Sequence, residues 1–134
     1  MFRLVKILNG RTNQGEPVRL PSTAGESYLC GEALTLSAGK LTKCGASAVP
    51  DFICCEDYTA PASENRGVLA EPVSREMIFE VPVTASPSAL VAGNKVTLHT
   101  DALSVTATTS NGVATVWDTC GASAAGDRIQ VCFK

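Results

Sequence analysis

The fold class is decided by one stretch of the sequence, Val105-Thr106-Ala107-Thr108-Thr109-Ser110-Asn111-Gly112-Val113-Ala114-Thr115-Val116-Trp117. Asn-Gly pairs favour the type I′ turn, whose twist matches that of paired strands, because both turn positions need a positive φ. This predicts a hairpin with the pairs Ser110 with Val113, Ala107 with Val116, and Thr106 with Trp117. Side chains alternate along a strand. One face should therefore carry Val105, Ala107, Ala114 and Val116, and the other Thr106, Thr108, Thr115 and Trp117.

Short β-like runs, separated by Gly, Pro, Ser and Asn, continue on both sides of this stretch. In residues 77–83, Met77, Phe79 and Val81 should share one side and oppose Ile78. In residues 127–133, the alternation predicts an inward face of Ile129, Val131 and Phe133 and an opposite face of Arg128, Gln130 and Cys132. Helical periodicity is absent. We therefore predict an all-β fold, either a compact β-sandwich or a small β-barrel, with an extended N-terminal arm.

The length and composition fit one globular domain. The chain has 134 residues, of which 45% are hydrophobic and 18% are charged. Residues 10–27 are polar and contain Pro17 and Pro21, which withhold a backbone donor from a strand ladder. We expect residues 1–27 to form the extended arm and residues 28–134 the β-rich body. Apolar runs are too short for a membrane span, and Arg3 and Lys6 interrupt what would be the core of a signal peptide.

Charge is divided unevenly between these two parts. Residues 1–25 contain four basic residues and one acidic residue, a balance of +3, and residues 26–134 contain seven basic and twelve acidic residues, a balance of −5. The net charge of −2 argues against a nucleic-acid partner. The basic side chains of the arm are either ordinary solvated cations or a surface that docks on an acidic partner. They are Arg3, Lys6, Arg11 and Arg19.

Residues for catalysis or metal binding are sparse. The six cysteines include no Cys-x-x-Cys, and His99 is the single histidine. We expect free thiols, with buried cysteines acting as small hydrophobic residues, and Cys54 and Cys55 on opposite faces of a strand. We predict no catalytic residues, no metal site and no cofactor, and therefore a protein that is not an enzyme.

Trp117 is the one aromatic residue on the threonine-rich face of the predicted hairpin. Carbohydrate-binding modules usually expose a strip of aromatic rings, and here Trp117 is the one candidate for such a contact. The alternative is that Trp117 packs in the second layer of a sandwich or in a contact between subunits, since tryptophan supplies a large buried area.

The sequence resembles the small head decoration proteins of tailed bacteriophages over most of its length. The resemblance is carried by the pattern of strands and turns, and the six cysteines depart from it. The matching segments are Ile7-Leu8-Asn9-Gly10-Arg11, Gly31-Glu32-Ala33-Leu34-Thr35-Leu36-Ser37-Ala38-Gly39-Lys40-Leu41-Thr42-Lys43-Cys44, Pro50-Asp51-Phe52-Ile53, Gly67-Val68-Leu69-Ala70-Glu71-Pro72-Val73, Met77-Ile78-Phe79-Glu80-Val81-Pro82 and Ala125-Gly126-Asp127-Arg128-Ile129-Gln130-Val131.

The resemblance implies a non-enzymatic capsid-stabilising (cement) protein that binds the major capsid protein on the outer surface of the head, commonly as a trimer. It also implies assembly in the host cytoplasm, without a membrane partner. On this hypothesis the basic arm grips the shell, so deletion of residues 2–25 should abolish binding while the body stays folded. The alternative from the sequence is a carbohydrate-binding or fibre-like surface module of a virion.

Overall fold

The computed structural model describes residues 1–8, 16–63 and 66–134. These residues contain strands and turns and no helix, which confirms the all-β prediction. The strands are β1 (Arg3–Ile7), β2 (Val18–Leu20), β3 (Ser27–Tyr28), β4 (Ala33–Ser37), β5 (Lys40–Lys43), β6 (Phe52–Cys54), β7 (Tyr58–Thr59), β8 (Val68–Pro72), β9 (Met77–Pro82), β10 (Lys95–Val96), β11 (Ala114–Asp118) and β12 (Arg128–Cys132).

The strands form two five-stranded sheets and one small pair. The front sheet has the order β1-β9-β12-β11-β10, the back sheet has the order β2-β8-β6-β4-β5, and β3 pairs with β7. All of these pairings are antiparallel. Within the described residues both sheets are open, so the sandwich alternative describes the fold and a closed barrel does not.

The main core lies between the inner faces of the two sheets. The front sheet contributes Phe79, Val81, Val116 and Val131, and the back sheet contributes residues that include Ile53. The alternation predicted from sequence is confirmed here, because Met77, Phe79 and Val81 enter this core together, as do Ile129, Val131 and Phe133. Burial of these side chains supplies the main force that holds the sheets together.

A second core covers the opposite face of the back sheet, where the β3–β7 pair lies. Tyr28 is 1% exposed and stacks with Tyr58 at 6.5 Å between ring centres. The Tyr28 hydroxyl donates to the Leu41 carbonyl at 2.7 Å and accepts from the Thr23 amide at 2.8 Å. Because a buried hydroxyl needs partners, these bonds allow tyrosine to fill this core.

The predicted Asn-Gly hairpin is wrong in its strand pairing. Val105 bridges Leu98 and Val83, and the Thr106 amide donates to the Thr97 carbonyl at 2.9 Å. β11 pairs instead with β10 and β12. Asn111 has a φ of 56°, but Gly112 lies outside the left-handed region that a type I′ turn requires at both positions.

The predicted apolar face of that stretch nevertheless enters the core. Val105, Ala114 and Val116 are at most 1% exposed, and Ala107 packs against the main core. On the opposite face, Trp117 is 38% exposed. Alternation depends on the local strand geometry alone. The faces are therefore predicted correctly although the strand pairing is not.

The described strands of the N-terminal residues pair with the body. β1 pairs with β9, and β2 pairs with β8. Phe2 is 3% exposed in the main core. The division at residue 27 stays a prediction, but removal of residues 2–25 would take away Phe2 and two edge strands. Contrary to the sequence-based expectation, we do not expect the body to stay folded without them.

Candidate functional site

The outer face of the front sheet brings together three of the residues singled out by sequence. In the strand register, Arg3 is opposite Glu80, Lys6 is opposite Ile78, and Thr115 is opposite Cys132. Trp117 follows on β11, so Arg3, Lys6 and Trp117 share one sheet. We refer to this surface as the outer face. Its exposed or partly exposed strand residues are Arg3, Lys6, Glu80, Lys95, Thr115, Trp117, Asp118, Arg128 and Gln130, whereas Ile78 and Cys132, on the same side of the strands, are fully buried.

The outer face is basic, with four cations and two carboxylates among those strand residues. Glu80 holds two of the cations: its Oε1 lies 3.4 Å from Arg3 Nη2 and 3.3 Å from Arg128 Nη1. The Arg3 side chain remains 65% exposed and that of Arg128 46% exposed. Exposed ion pairs of this kind contribute at most about 1 kcal/mol, so a partner's carboxylate can displace Glu80 at low cost.

Trp117 borders a shallow depression at one side of the outer face. The depression is also lined by Ala92, Gly93, Thr115 and Cys132. Lys134 Nζ lies 4.9 Å from the centre of the indole ring, a cation–π contact. Thr115 Oγ1 is buried and has no hydrogen-bond partner within the described part of the chain. Trp117 is thus a partly exposed aromatic anchor beside a cation, which is the kind of side chain enriched at protein interfaces.

Arg19 lies on β2, in the back sheet, away from the outer face. Its Nη1 lies 2.7 Å from Glu56 Oε1 and donates to the Gly67 carbonyl at 2.9 Å. Glu56 also binds Arg66 at 3.0 Å and accepts from the Leu69 amide at 2.8 Å. Burial raises the pKa of Glu56, but these hydrogen bonds outweigh it and hold the pKa below its ordinary value. Arg19 therefore anchors β2 to its own chain, and Arg11 falls outside the described residues.

Further cations join Arg3 and Lys6 on this surface, and no sequence pattern marks them as part of the site. Arg128 was correctly assigned to the face opposite Ile129. Its proximity to Arg3 depends on β1 and β12 flanking β9, and no local signal in the sequence gives that order. Lys95 lies on the same face because it is on β10, and Lys134 lies there two residues after the end of β12.

His99 participates in a small polar cluster with Asp101 and Ser104. His99 Nδ1 lies 3.1 Å from Asp101 Oδ2. The Ser104 hydroxyl donates to the Asp101 carboxylate at 2.8 Å, and the Leu103 amide donates to Asp101 Oδ1 at 2.8 Å. The Ser104 hydroxyl is thus bonded to the carboxylate. A nucleophile–base pair needs a hydrogen bond from the serine hydroxyl to the imidazole. The arrangement stabilises the turn through residues 101–104.

Replacement of Asp101 by Asn should make the free energy of unfolding less dependent on pH in the acid range. Burial raises the pKa of Asp101, but hydrogen bonds from Leu103, Ser104 and His99 outweigh it, so the folded-state pKa is lowered. Such a group stabilises the fold above its unfolded pKa of about 4 and loses that contribution as pH falls through the folded value. We expect Asp101→Asn to lower the free energy of unfolding by about 1 kcal/mol at pH 7. Solvent screening limits the loss, because the Asp101 side chain is 42% exposed.

Urea denaturation of wild type and D101N at several pH values measures this effect. The two unfolding free energies should differ most at pH 7 and converge near pH 2, where the wild-type carboxyl is also protonated. A difference that is independent of pH would show that the carboxylate charge does not contribute.

The thiols divide between buried and exposed positions. Cys44, Cys54 and Cys132 are buried, Cys30 and Cys120 are exposed, and all six are free. Burial raises the pKa of Cys44 and of Cys54 to about 12, so both remain thiols at neutral pH. Within residues 1–8, 16–63 and 66–134, no group of three or more His, Cys, Asp or Glu side chains is arranged to hold a metal ion. The same residues include no helix that is long and apolar enough to cross a membrane.

Comparisons with known proteins give a similarity of fold. No protein-family model matches the chain, and no curated protein matches it. Among solved structures, the chain is similar to the head fiber gp8.5 N base of bacteriophage phi29, with a TM-score of 0.57 and 14% sequence identity. The match covers 88% of this chain and 94% of that chain. At this identity, the likeness establishes a shared fold.

Proposed function

We propose that this chain is a non-enzymatic structural protein of a tailed-phage head, which binds the outer surface of the capsid and stabilises the shell. The observation that carries the proposal is the fold shared with a phage head fiber base over 88% of the chain. The resemblance of the sequence to head decoration proteins supports it independently. The partner on this proposal is the major capsid protein, reached after assembly in the host cytoplasm.

The outer face is the surface that we expect to meet the capsid. It combines exposed cations, Arg3 and Lys6, with the partly exposed ring of Trp117. Cations at the rim of an interface steer association with an acidic patch, and a buried aromatic ring supplies much of the contact energy. We further propose that the protein acts as a homotrimer, because linked copies multiply a weak contact through avidity.

A second candidate function is that of a base module that attaches a fibre to the head. It is favoured by the 94% coverage of the phi29 N base, which means that nearly all of that domain has a counterpart here. Both functions require attachment to a head. They differ in whether the capsid loses mechanical stability without the protein, which heating of heads with and without it would reveal.

Lys6→Glu should weaken binding to the capsid by about tenfold, because it reverses one exposed charge of the basic outer face, on its edge strand β1. The assay is co-sedimentation of purified protein with expanded heads that lack it, prepared from a phage in which the gene is deleted. Lys40→Glu is the matched control. It reverses an exposed lysine on β5, an edge strand of the back sheet, and should bind as wild type does.

The sedimentation results test the contact surface and the proposed function separately. Equal binding by Lys6→Glu and Lys40→Glu would reject the outer face as the contact surface. Failure of the wild-type protein to sediment with expanded heads would reject the proposed function itself. Circular dichroism of both variants establishes that they are folded.

A further inference from the structure

The depression beside Trp117 lies on β11 and β12, next to the turn that leads into β10. In the register of the front sheet, Thr115 of β11 is opposite Cys132 of β12, and both residues line the depression. Trp117 follows Thr115 by two residues and stands on the same face. Strand pairing therefore fixes one wall and the floor of the depression.

The opposite wall is the turn of residues 91–94, which is hydrogen-bonded to β11. The Asn94 amide donates to the Val91 carbonyl at 3.1 Å, and the Val91 amide donates to Asn94 Oδ1 at 3.0 Å. The Gly93 amide donates to the Val116 carbonyl at 2.8 Å, and the Val116 amide donates to the Asn94 carbonyl at 2.8 Å. The depression is thus formed before any partner arrives, which lowers the entropic cost of binding.

The depression is mainly apolar and has the size of a side chain. Its volume is about 280 Å³, below the range of about 300 to 1,000 Å³ for small-molecule sites. Ala92 is exposed at its wall, and the preceding Val91 is 62% exposed. Among the described residues that line it, Thr115 carries the one hydroxyl. An apolar side chain fits this lining better than a saccharide, whose hydroxyl groups would lose hydrogen bonds to water without replacement.

The charge beside the depression is positive. Lys134 Nζ lies 4.9 Å from the centre of the Trp117 ring, and Lys95 lies on the neighbouring strand β10. Within the described part of the chain, neither lysine lies within 4.0 Å of a carboxylate oxygen. In contrast to Arg3, which is paired with Glu80, Lys134 can bind a partner's carboxylate without displacing an internal one.

We propose that this depression is the docking pocket for one apolar side chain on a surface segment of the major capsid protein, and that an adjacent Asp or Glu of that segment binds Lys134. This rests on the proposed function and adds the chemistry of the partner at the contact. The apolar side chain packs against Trp117 and Ala92, which removes apolar surface from water. Arg3 and Lys6 lie on β1, at the other edge of the front sheet, and steer the approach of the segment.

Blocking the depression tests the docking of the side chain. Ala92→Phe adds a ring at the wall and should weaken co-sedimentation with expanded heads by about tenfold or more, and Trp117→Ala, which removes a wall, by about 30-fold. Ala24→Phe is the matched control. It adds the same ring at an exposed position between β2 and β3, beside the back sheet, and should bind as wild type does. Circular dichroism establishes that the variants are folded.

Two variants of Lys134 and a cross-link test the carboxylate contact. Lys134→Gln should weaken binding about fivefold, whereas Lys134→Arg keeps the charge and should bind within about twofold of wild type. A water-soluble carbodiimide should condense Lys134 Nζ with an Asp or Glu of the major capsid protein into an amide, and the carbodiimide takes up the released water as a urea. After trypsin, mass spectrometry should recover residues 129–134 linked to a capsid peptide.

The results distinguish failure of the pocket from failure of the proposed function. Wild-type binding by both Ala92→Phe and Trp117→Ala would overturn the pocket and leave the proposed function intact, and wild-type binding by Lys134→Gln would overturn the carboxylate contact. Failure of the wild-type protein to sediment with heads would reject the proposed function and this partner with it.

The fluorescence of Trp117 tests the saccharide alternative without heads, because Trp117 is the single tryptophan of the chain. We expect its emission to remain unchanged when glucose, galactose or glucuronate is added to the wild-type protein. A saturable change that is lost in Ala92→Phe would indicate a saccharide site and would overturn the proposal.

Discussion

Phe2→Ala is expected to lower the free energy of unfolding by about 3 to 5 kcal/mol, the usual cost of emptying a phenylalanine site in a core. The ring is 3% exposed and lies 6.3 Å from the ring of Phe79 and 5.8 Å from that of Phe133, measured between centres. The Phe2 amide also donates to the Gly31 carbonyl at 2.9 Å, which fixes the start of β1 against the body. The second residue of the chain is therefore a central part of the fold.

Guanidinium denaturation measures this loss, and Val5→Ala is the matched control. Val5 lies on β1, three residues after Phe2, is 38% exposed, and its replacement should cost less than about 1 kcal/mol. If Phe2→Ala proved as mild as Val5→Ala, the N-terminal residues would not belong to the core. They would then act as the separable arm that the sequence predicted, and deletion of residues 2–25 would again be a valid test of binding.

The sequence could predict the fold class and the orientation of several strands because these depend on local alternation. Phe79 and Val81, like Ile129 and Val131, are two residues apart, and any extended conformation places each pair on one side. The prediction holds whichever strand lies beside them. Alternation does not predict how well the opposite face is covered: Ile78 and Cys132 face outward and are nevertheless fully buried.

The partners of each strand could not be predicted, because pairing in this fold is mostly distant in sequence. β9 pairs with β1 on one side and β12 on the other, and in neither case do the partners adjoin along the chain. The proline and glycine pattern of residues 10–27 suggested an arm, yet β2 pairs with β8 and is anchored by Arg19. The candidate site also depends on pairings that are distant in sequence. Arg3 and Trp117 share a face because of the order of strands in the front sheet, and no short window of sequence contains that order.

Gly112→Ala is expected to lower the free energy of unfolding by about 2 to 4 kcal/mol through a forced shift of backbone. A Cβ at this position would lie 2.4 Å from the Lys95 carbonyl carbon, 2.5 Å from its oxygen and 2.6 Å from the Val96 nitrogen. These are main-chain atoms of β10, held in the front sheet by β11, so no side-chain rotation can relieve the contact. Gly45→Ala is the control, because its Cβ would meet nothing within 4 Å.

The same variant distinguishes the observed pairing from the Asn-Gly hairpin. In a type I′ turn, alanine at Gly112 would suffer a local conformational penalty of about 1 kcal/mol and would leave β10 undisturbed. In the observed fold, the added Cβ displaces the backbone of β10. The hydrogen bond from the Val113 amide to the Val96 carbonyl, 2.9 Å long, should then break. Hydrogen exchange should therefore accelerate at the Val113 amide in Gly112→Ala and not in Gly45→Ala. Unchanged protection of that amide, together with a loss near 1 kcal/mol, would restore the local hairpin and remove β10 from the front sheet.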